Sequence, residues 1–122
     1  MDNEIKNLLK ASMKIISSAG DGRNLIQQAI VASSLGKENE SQEYLRQANE
    51  EIKSAHIEQT KILQTKMSLE NEESAKTLFT HAQDTLMTIN SEYYLAVNLI
   101  QMEVRLSNRI KKIEEELHER DI

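Results

Sequence analysis

Residues 78–104 read LFTHAQDTLMTINSEYYLAVNLIQMEV. Leu78, Ala82, Leu86, Ile89, Tyr93, Val97, Ile100 and Val104 return every three or four positions, the period that gathers side chains on one face of an α-helix. Neither Pro nor Gly interrupts the run. Just upstream, Asn71 followed by Glu72 and Glu73 offers a capping side chain and two acids that complement the positive end of a helix, so the helix is expected to begin there. Downstream, Leu106, Ile110, Ile113 and Leu117 continue in steps of four and three through a segment rich in Lys, Arg and Glu, the pattern of a short coiled-coil seam.

Two further stripes precede this one. Ile5, Leu9, Ser12, Ile16, Ala19, Arg23, Ile26 and Ile30 predict a first helix from about residue 3 to residue 34. Gly36 suits the left-handed residue beyond its end, and Asn39 with Gln42 has the spacing of a capping box for the next helix. The second stripe runs Leu45, Ala48, Ile52, Ala55, Gln59, Ile62 and Lys66, widened by Tyr44, Leu63 and Met67, with Gln59 a polar break in an apolar seam. Short connections make successive helices antiparallel neighbours, which predicts an all-α, up-down-up three-helix bundle. The expected organisation is one bundle domain over residues 1–104 and an amphipathic C-terminal extension of helix three over 105–122.

Composition agrees with one helical domain. The chain has 122 residues, no Pro and only three Gly. Phe79, Tyr44, Tyr93 and Tyr94 are its aromatic residues, so aliphatic side chains and Met must fill a thin core, and thin cores often gain stability by oligomerising. A formal charge of −5 with acids and bases interspersed argues against a nucleic-acid partner, which requires clustered Lys and Arg. Absence of Cys excludes disulfides and thiol chemistry. The acidic start Met1-Asp2-Asn3-Glu4 lacks the segments of a secretory signal, and no apolar run is long enough to span a membrane. The cytoplasm is the expected compartment.

Chemistry-bearing residues concentrate on helix three. His81, Asp84 and Thr88 lie at spacings of three and four, a polar stripe beside the Ala82/Leu86/Ile89 seam. Alone, a helical His and Asp so spaced are usually a solvated surface pair, and His56 with Gln59 on helix two invites the same reading. No HExxH metal motif, Gly-rich phosphate loop or Ser/His/Asp order occurs.

Three segments taken together point further. His81-Ala82-Gln83-Asp84-Thr85-Leu86-Met87-Thr88 closely resembles the HAQDHLMT signature of the lactose/cellobiose class of IIA components of bacterial sugar phosphotransferase systems. Ala55-His56-Ile57-Glu58-Gln59-Thr60 resembles that family's AHxxQT segment, and Ile15-Ile16-Ser17-Ser18-Ala19-Gly20-Asp21-Gly22-Arg23 its IIxxAGDAR segment. Order and approximate spacing match over about residues 4–104. Two positions depart: Gly22 where the family usually has Ala, worth roughly 1 kcal/mol at most, and Thr85 where it usually has a second His, a change bearing on partner recognition or on the pKa of His81.

The resemblance implies a transferase component whose His81 is phosphorylated, and a neutral imidazole does supply a nucleophilic nitrogen at physiological pH. It implies a donor, the histidine phosphocarrier protein, and an acceptor, a Cys of the IIB component, which serves sugar entering through IIC. This chain would not itself touch the sugar, and cellobiose, chitobiose, lactose and lichenan oligosaccharides are all compatible. Gln83, Gln59 and His56 are candidate phosphate contacts, although Gln59 equally suits a buried, internally satisfied amide. Arg23 suits either attraction of phosphate or an ion pair with Asp21, Asp84 or Glu58. The resemblance further implies a homotrimer, a nine-helix bundle, in which Asp84 from each subunit shares one structural Mg²⁺. The extension from Leu106 to Leu117 is expected to pack on its own bundle or on the other subunits. Two other readings use the same residues: a non-catalytic helical adaptor or coiled-coil protein, and a regulatory relative that keeps His81 with a changed partner marked by Thr85.

Overall fold

The computed structural model describes residues 3–65 and 72–121, the side chain of Asp121 excepted. They form three α-helices, α1 (Asn3–Ser34), α2 (Glu38–Gln64) and α3 (Glu73–Asp121), and no strand occurs among them. The chain runs up, down and up. At one end Ile5 and Leu8 of α1 pack with Ala75 of α3 and Ile62 of α2, and at the other Ala29 packs with Leu45 and Ile100. Between them lies a core of Ile15, Ala19, Ile26, Ala48, Ile52, Ala55, Ala82, Leu86, Ile89 and Ala96. Much of this core is Ala, and Gly22 is buried among it, so the helices approach closely and α1 packs against both of its neighbours.

The α1–α2 connection follows from Gly36. Its φ of 76° lies in the left-handed region, which costs Gly no steric penalty. The amide of Gly36 donates to the Ser33 carbonyl at 3.0 Å and that of Lys37 to the Ala32 carbonyl at 2.9 Å, the paired bonds of a Schellman closure. The expected capping box does not form: α2 begins at Glu38, with Lys37 as an N-cap that makes no side-chain capping bond. Ser41 instead turns inward, and its buried hydroxyl donates to the Ala29 carbonyl at 2.8 Å, tying the start of α2 to the end of α1. Asn71, the expected cap of α3, and Lys66 and Met67, expected on the stripe of α2, lie outside the described residues.

The buried face of α1 is rotated from the expected stripe. Leu8, Ser12, Ile15, Ala19, Gly22, Ile26 and Ala29 are its inner residues, whereas Leu9 and Arg23 are exposed and Ile16 and Ile30 half-buried. Adjacent apolar pairs such as Leu8/Leu9 and Ile15/Ile16 leave the phase ambiguous in sequence, and the small residues that meet the other helices carry little hydrophobic signal.

Helix α3 is 49 residues long against 32 for α1 and 27 for α2. Its last buried residue is Ile100, Val104 is half-buried, and residues 108–120 are all exposed. Leu106, Ile110, Ile113 and Leu117 therefore do not pack on their own bundle. No helix among the described residues is long and apolar enough to cross a membrane.

Candidate functional site

Burial of Ala82, Leu86 and Ile89 fixes the rotation of α3, and that rotation turns His81, Asp84 and Thr88 outward, where all three are exposed. The hydroxyl of Thr85 donates to the backbone carbonyl of His81 at 2.8 Å and that of Thr88 to the carbonyl of Asp84 at 2.9 Å. Both threonines thus serve their own helix. The imidazole of His81 makes no hydrogen bond with the described residues. It stands at the edge of a shallow hollow formed with Glu73, Ser74, Thr77 and Leu78 on the first turns of α3. An exposed imidazole of this kind is open to a large donor approaching from solvent, as exchange between two proteins requires.

Of the other candidates, Gln83 on α3 and His56 and Gln59 on α2 are half-buried. Ile62 packs with Ala75 and Phe79 toward one end and Ile52 and Ile89 both flank Gly22 toward the other, which puts the 56–59 and 81–84 segments at about the same level of the bundle. No hydrogen bond joins the side chains of His56, Gln59 or Gln83 to that of His81, so shared level is what the fold gives them within one chain. Thr60 donates to the His56 carbonyl at 2.8 Å, repeating on α2 the local arrangement found at His81.

Arg23 resolves differently from expectation. It pairs with Glu92 of α3, a residue the sequence reading did not consider: Nε donates to Oε1 at 3.0 Å and a terminal nitrogen to Oε2 at 2.6 Å. These bonds raise the Arg23 pKa further above its ordinary value. Arg23 is thereby committed to a two-pronged link between α1 and α3, the geometry the guanidinium fork favours. Of its expected partners, Glu58 is taken by others: Lys14 of α1 donates to it at 3.1 Å and Lys61 lies at 3.6 Å, which holds the Glu58 carboxyl below its usual range, chiefly through the Lys14 hydrogen bond.

Asp84 is exposed on the side of α3 away from the core. Among the described residues no group of three His, Cys, Asp or Glu in a single chain is disposed to hold a metal ion. A carboxylate donor is right for a hard cation, but one such oxygen donor per chain suffices only where copies of the chain converge. Also on the outer side of α3, Leu95, Leu99 and Met102 are exposed. In sequence the inward stripe of the same period masks them.

Comparison with known proteins matches residues 10–103 to the family described as PTS system, Lactose/Cellobiose specific IIA subunit. The lichenan-specific phosphotransferase enzyme IIA component of Bacillus subtilis (strain 168) is 29% identical over 109 residues, covering 89% of this chain and 96% of that protein. The PTS system galactose-specific EIIA component of Lactococcus lactis subsp. cremoris (strain MG1363) is 35% identical over 94 residues, covering 77% of this chain and 80% of that protein. The cellobiose-specific EIIA component of Lactococcus lactis subsp. lactis (strain IL1403) is 34% identical with the same coverage. No solved structure matches the chain.

Proposed function

This chain belongs to the lactose/cellobiose-specific IIA family of the sugar phosphotransferase system, and we propose that its His81 takes a phosphoryl group from the histidine phosphocarrier protein and passes it to a Cys of a IIB component. The observation that carries the reading is the exposed, unbonded imidazole of His81, beside Ala82, which is spent on the core, and Thr85, whose hydroxyl is spent on the backbone. A lone pair on the neutral ring attacks phosphorus as the bond to the donor imidazole breaks. In the second step the thiolate of IIB attacks, and the His81 nitrogen leaves with its lone pair restored.

Phosphoryl transfer passes through a loose transition state with charge on the equatorial oxygens, so the protein's part is alignment and hydrogen-bond donation. Gln83, Gln59 and His56 are the proposed donors in the assembled protein. That assembly is a homotrimer, a nine-helix bundle, in which Asp84 of each chain would hold one Mg²⁺ whose charge relieves repulsion among three carboxylates. The ion's part is structural. The work of such a carrier lies in the cytoplasm, where its phosphoryl donor resides, and sugar passes through the IIB and IIC partners.

The test is incubation with phosphoenolpyruvate and the purified general phosphotransferase proteins, followed by each candidate IIB. The wild type should take up one phosphoryl group per chain and lose it to the matching IIB, and His81→Ala should take up none. An unlabelled wild type, or label retained in His81→Ala, would remove the assignment.

A further inference from the structure

Consecutive residues of an α-helix are set about 100° apart round its axis, and their side chains lean toward its N-terminus. Counted from His81, Gln83 lies about 160° away, near the opposite flank of α3, whereas Ser74 and Thr77 lie within about 40° of it, two turns and one turn closer to the helix start. The imidazole thus leans toward Thr77. Ser74, Thr77 and Leu78 line the hollow at whose edge His81 stands, and Gln83 has no part in it. Leu78 is half-buried and forms the apolar wall of the hollow on the core side. Glu73 closes the far end, roughly 12 Å along the helix from His81, and Lys76 lies 3.8 Å from its carboxylate.

The two hydroxyls in the hollow are unspent. Thr60, Thr65, Thr85 and Thr88 each donate to the carbonyl four residues back, the local bond a helical threonine readily makes. Thr77 has the Glu73 carbonyl at the same spacing and makes no such bond, and Ser74 makes none with any described residue. Both residues are exposed, so water serves their hydroxyls until a stronger acceptor arrives. A phosphoryl group on the His81 ring is such an acceptor, because its oxygens carry the charge and a hydrogen bond to a charged oxygen is roughly twice as strong as a neutral one. Thr85, one turn to the other side of His81, has no donor to offer while its hydroxyl holds the His81 carbonyl.

We propose that the hydroxyls of Thr77 and Ser74 hold the phosphoryl group that His81 carries, each donating to a phosphoryl oxygen, with Thr77 the nearer donor. The inference rests on the phosphoryl-carrier reading of His81 and adds to it two donors of the same chain, on the flank that Gln83 does not reach. No bond to either hydroxyl forms or breaks during transfer. The phosphoryl group passes from the donor imidazole to His81 and on to the thiolate, while Thr77 and Ser74 keep their protons and release the oxygens as the group leaves.

The test is the equilibrium distribution of label between the phosphorylated histidine phosphocarrier protein and the full-length chain. Thr77→Val keeps the branched shape and removes the hydroxyl, and it should lower the equilibrium constant for transfer to this chain about tenfold. Ser74→Ala should lower it by a smaller factor. Thr77→Ser, which returns the hydroxyl without the methyl group, should restore most of the loss, as a purely structural role for the side chain would not. Both positions are exposed, so melting temperature and oligomeric mass should match the wild type in every variant. A wild-type distribution in Thr77→Val, or a loss that Thr77→Ser leaves in place, would overturn the hydroxyl cradle while the phosphoryl-carrier reading stands. A wild type that takes no label at all would remove that reading, and the cradle with it.

Discussion

At Gly22 a β-carbon would sit 3.6 Å from Cγ1 of Ile52, 3.7 Å from Cγ2 of Ile89 and 3.8 Å from the carbonyl oxygen of Ala48, all ordinary contact distances. Space for a methyl group is present, and the helical backbone there needs no glycine. Gly22→Ala should therefore stabilise the fold by about 1 kcal/mol through helix propensity, with added contact on α2 and α3. Calorimetry should show a melting temperature a few degrees higher. A lower one would mean that α1 lies closer to its neighbours than these distances. That this position takes a small residue was legible in the family resemblance, but its place at a helix crossing was not; the outward placement of His81 and Asp84 was legible, because burial of Ala82 and Leu86 dictates it. The engagement of Arg23 by Glu92 was not, since the two are 69 positions apart and no local spacing signals such a pair.

Between elements, the Lys14–Glu58 pair illustrates how charge supplements a thin core. Lys14 lies on α1 and Glu58 on α2, and the carboxylate is largely covered while the ammonium is mostly exposed. A carboxyl whose folded pKa is depressed contributes its stability fully above its unfolded value, near 4.5, and loses it as the pH falls through the lower folded value. Glu58→Gln should thus cost on the order of 0.5 kcal/mol at neutral pH. In urea titrations the gap from wild type should close as the pH is lowered into the acid range. A constant gap at all pH values would show that packing of the side chain, rather than its charge, is what the substitution removes. At this scale the three helices were readable from period and turn chemistry, and α1 occupies the residues expected of it. The register of its buried face was readable only in part: Ile5, Ser12, Ala19 and Ile26 are buried as expected, but Ala11, Ser18 and Gly22 also face inward for their size, which hydropathy does not record. Likewise the box at Asn39 and Gln42 lost to a closure one turn earlier, where the Gly36 turn and the Ser41 hydroxyl already join the helices.

Across the whole molecule, α3 is the element that faces two ways, with a core stripe inward and Asp84 and a row of apolar residues outward. In the proposed trimer three Asp84 carboxylates converge. Chelator should then weaken the wild-type assembly, and Asp84→Leu should hold together without metal, because an apolar contact replaces three repelling charges. Sedimentation showing monomer for both proteins, with metal and without, would contradict this assembly. The outward stripe was legible only from Leu106 onward, where no inward stripe competes with it. Nearer the bundle the burial of Ile89, Ala96 and Ile100 has to be known before Leu95 and Leu99 stand out as exposed. The claim on which the functional account turns is that one imidazole carries the phosphoryl group, and mapping the modified residue tests it most directly. After incubation with phosphoenolpyruvate and the general phosphotransferase proteins, peptide mass spectrometry under alkaline conditions should place one phosphate on His81, lost on brief acid treatment as a phosphoramidate is. Phosphate on His56 or His118, or an acid-stable modification at any residue, would contradict the account.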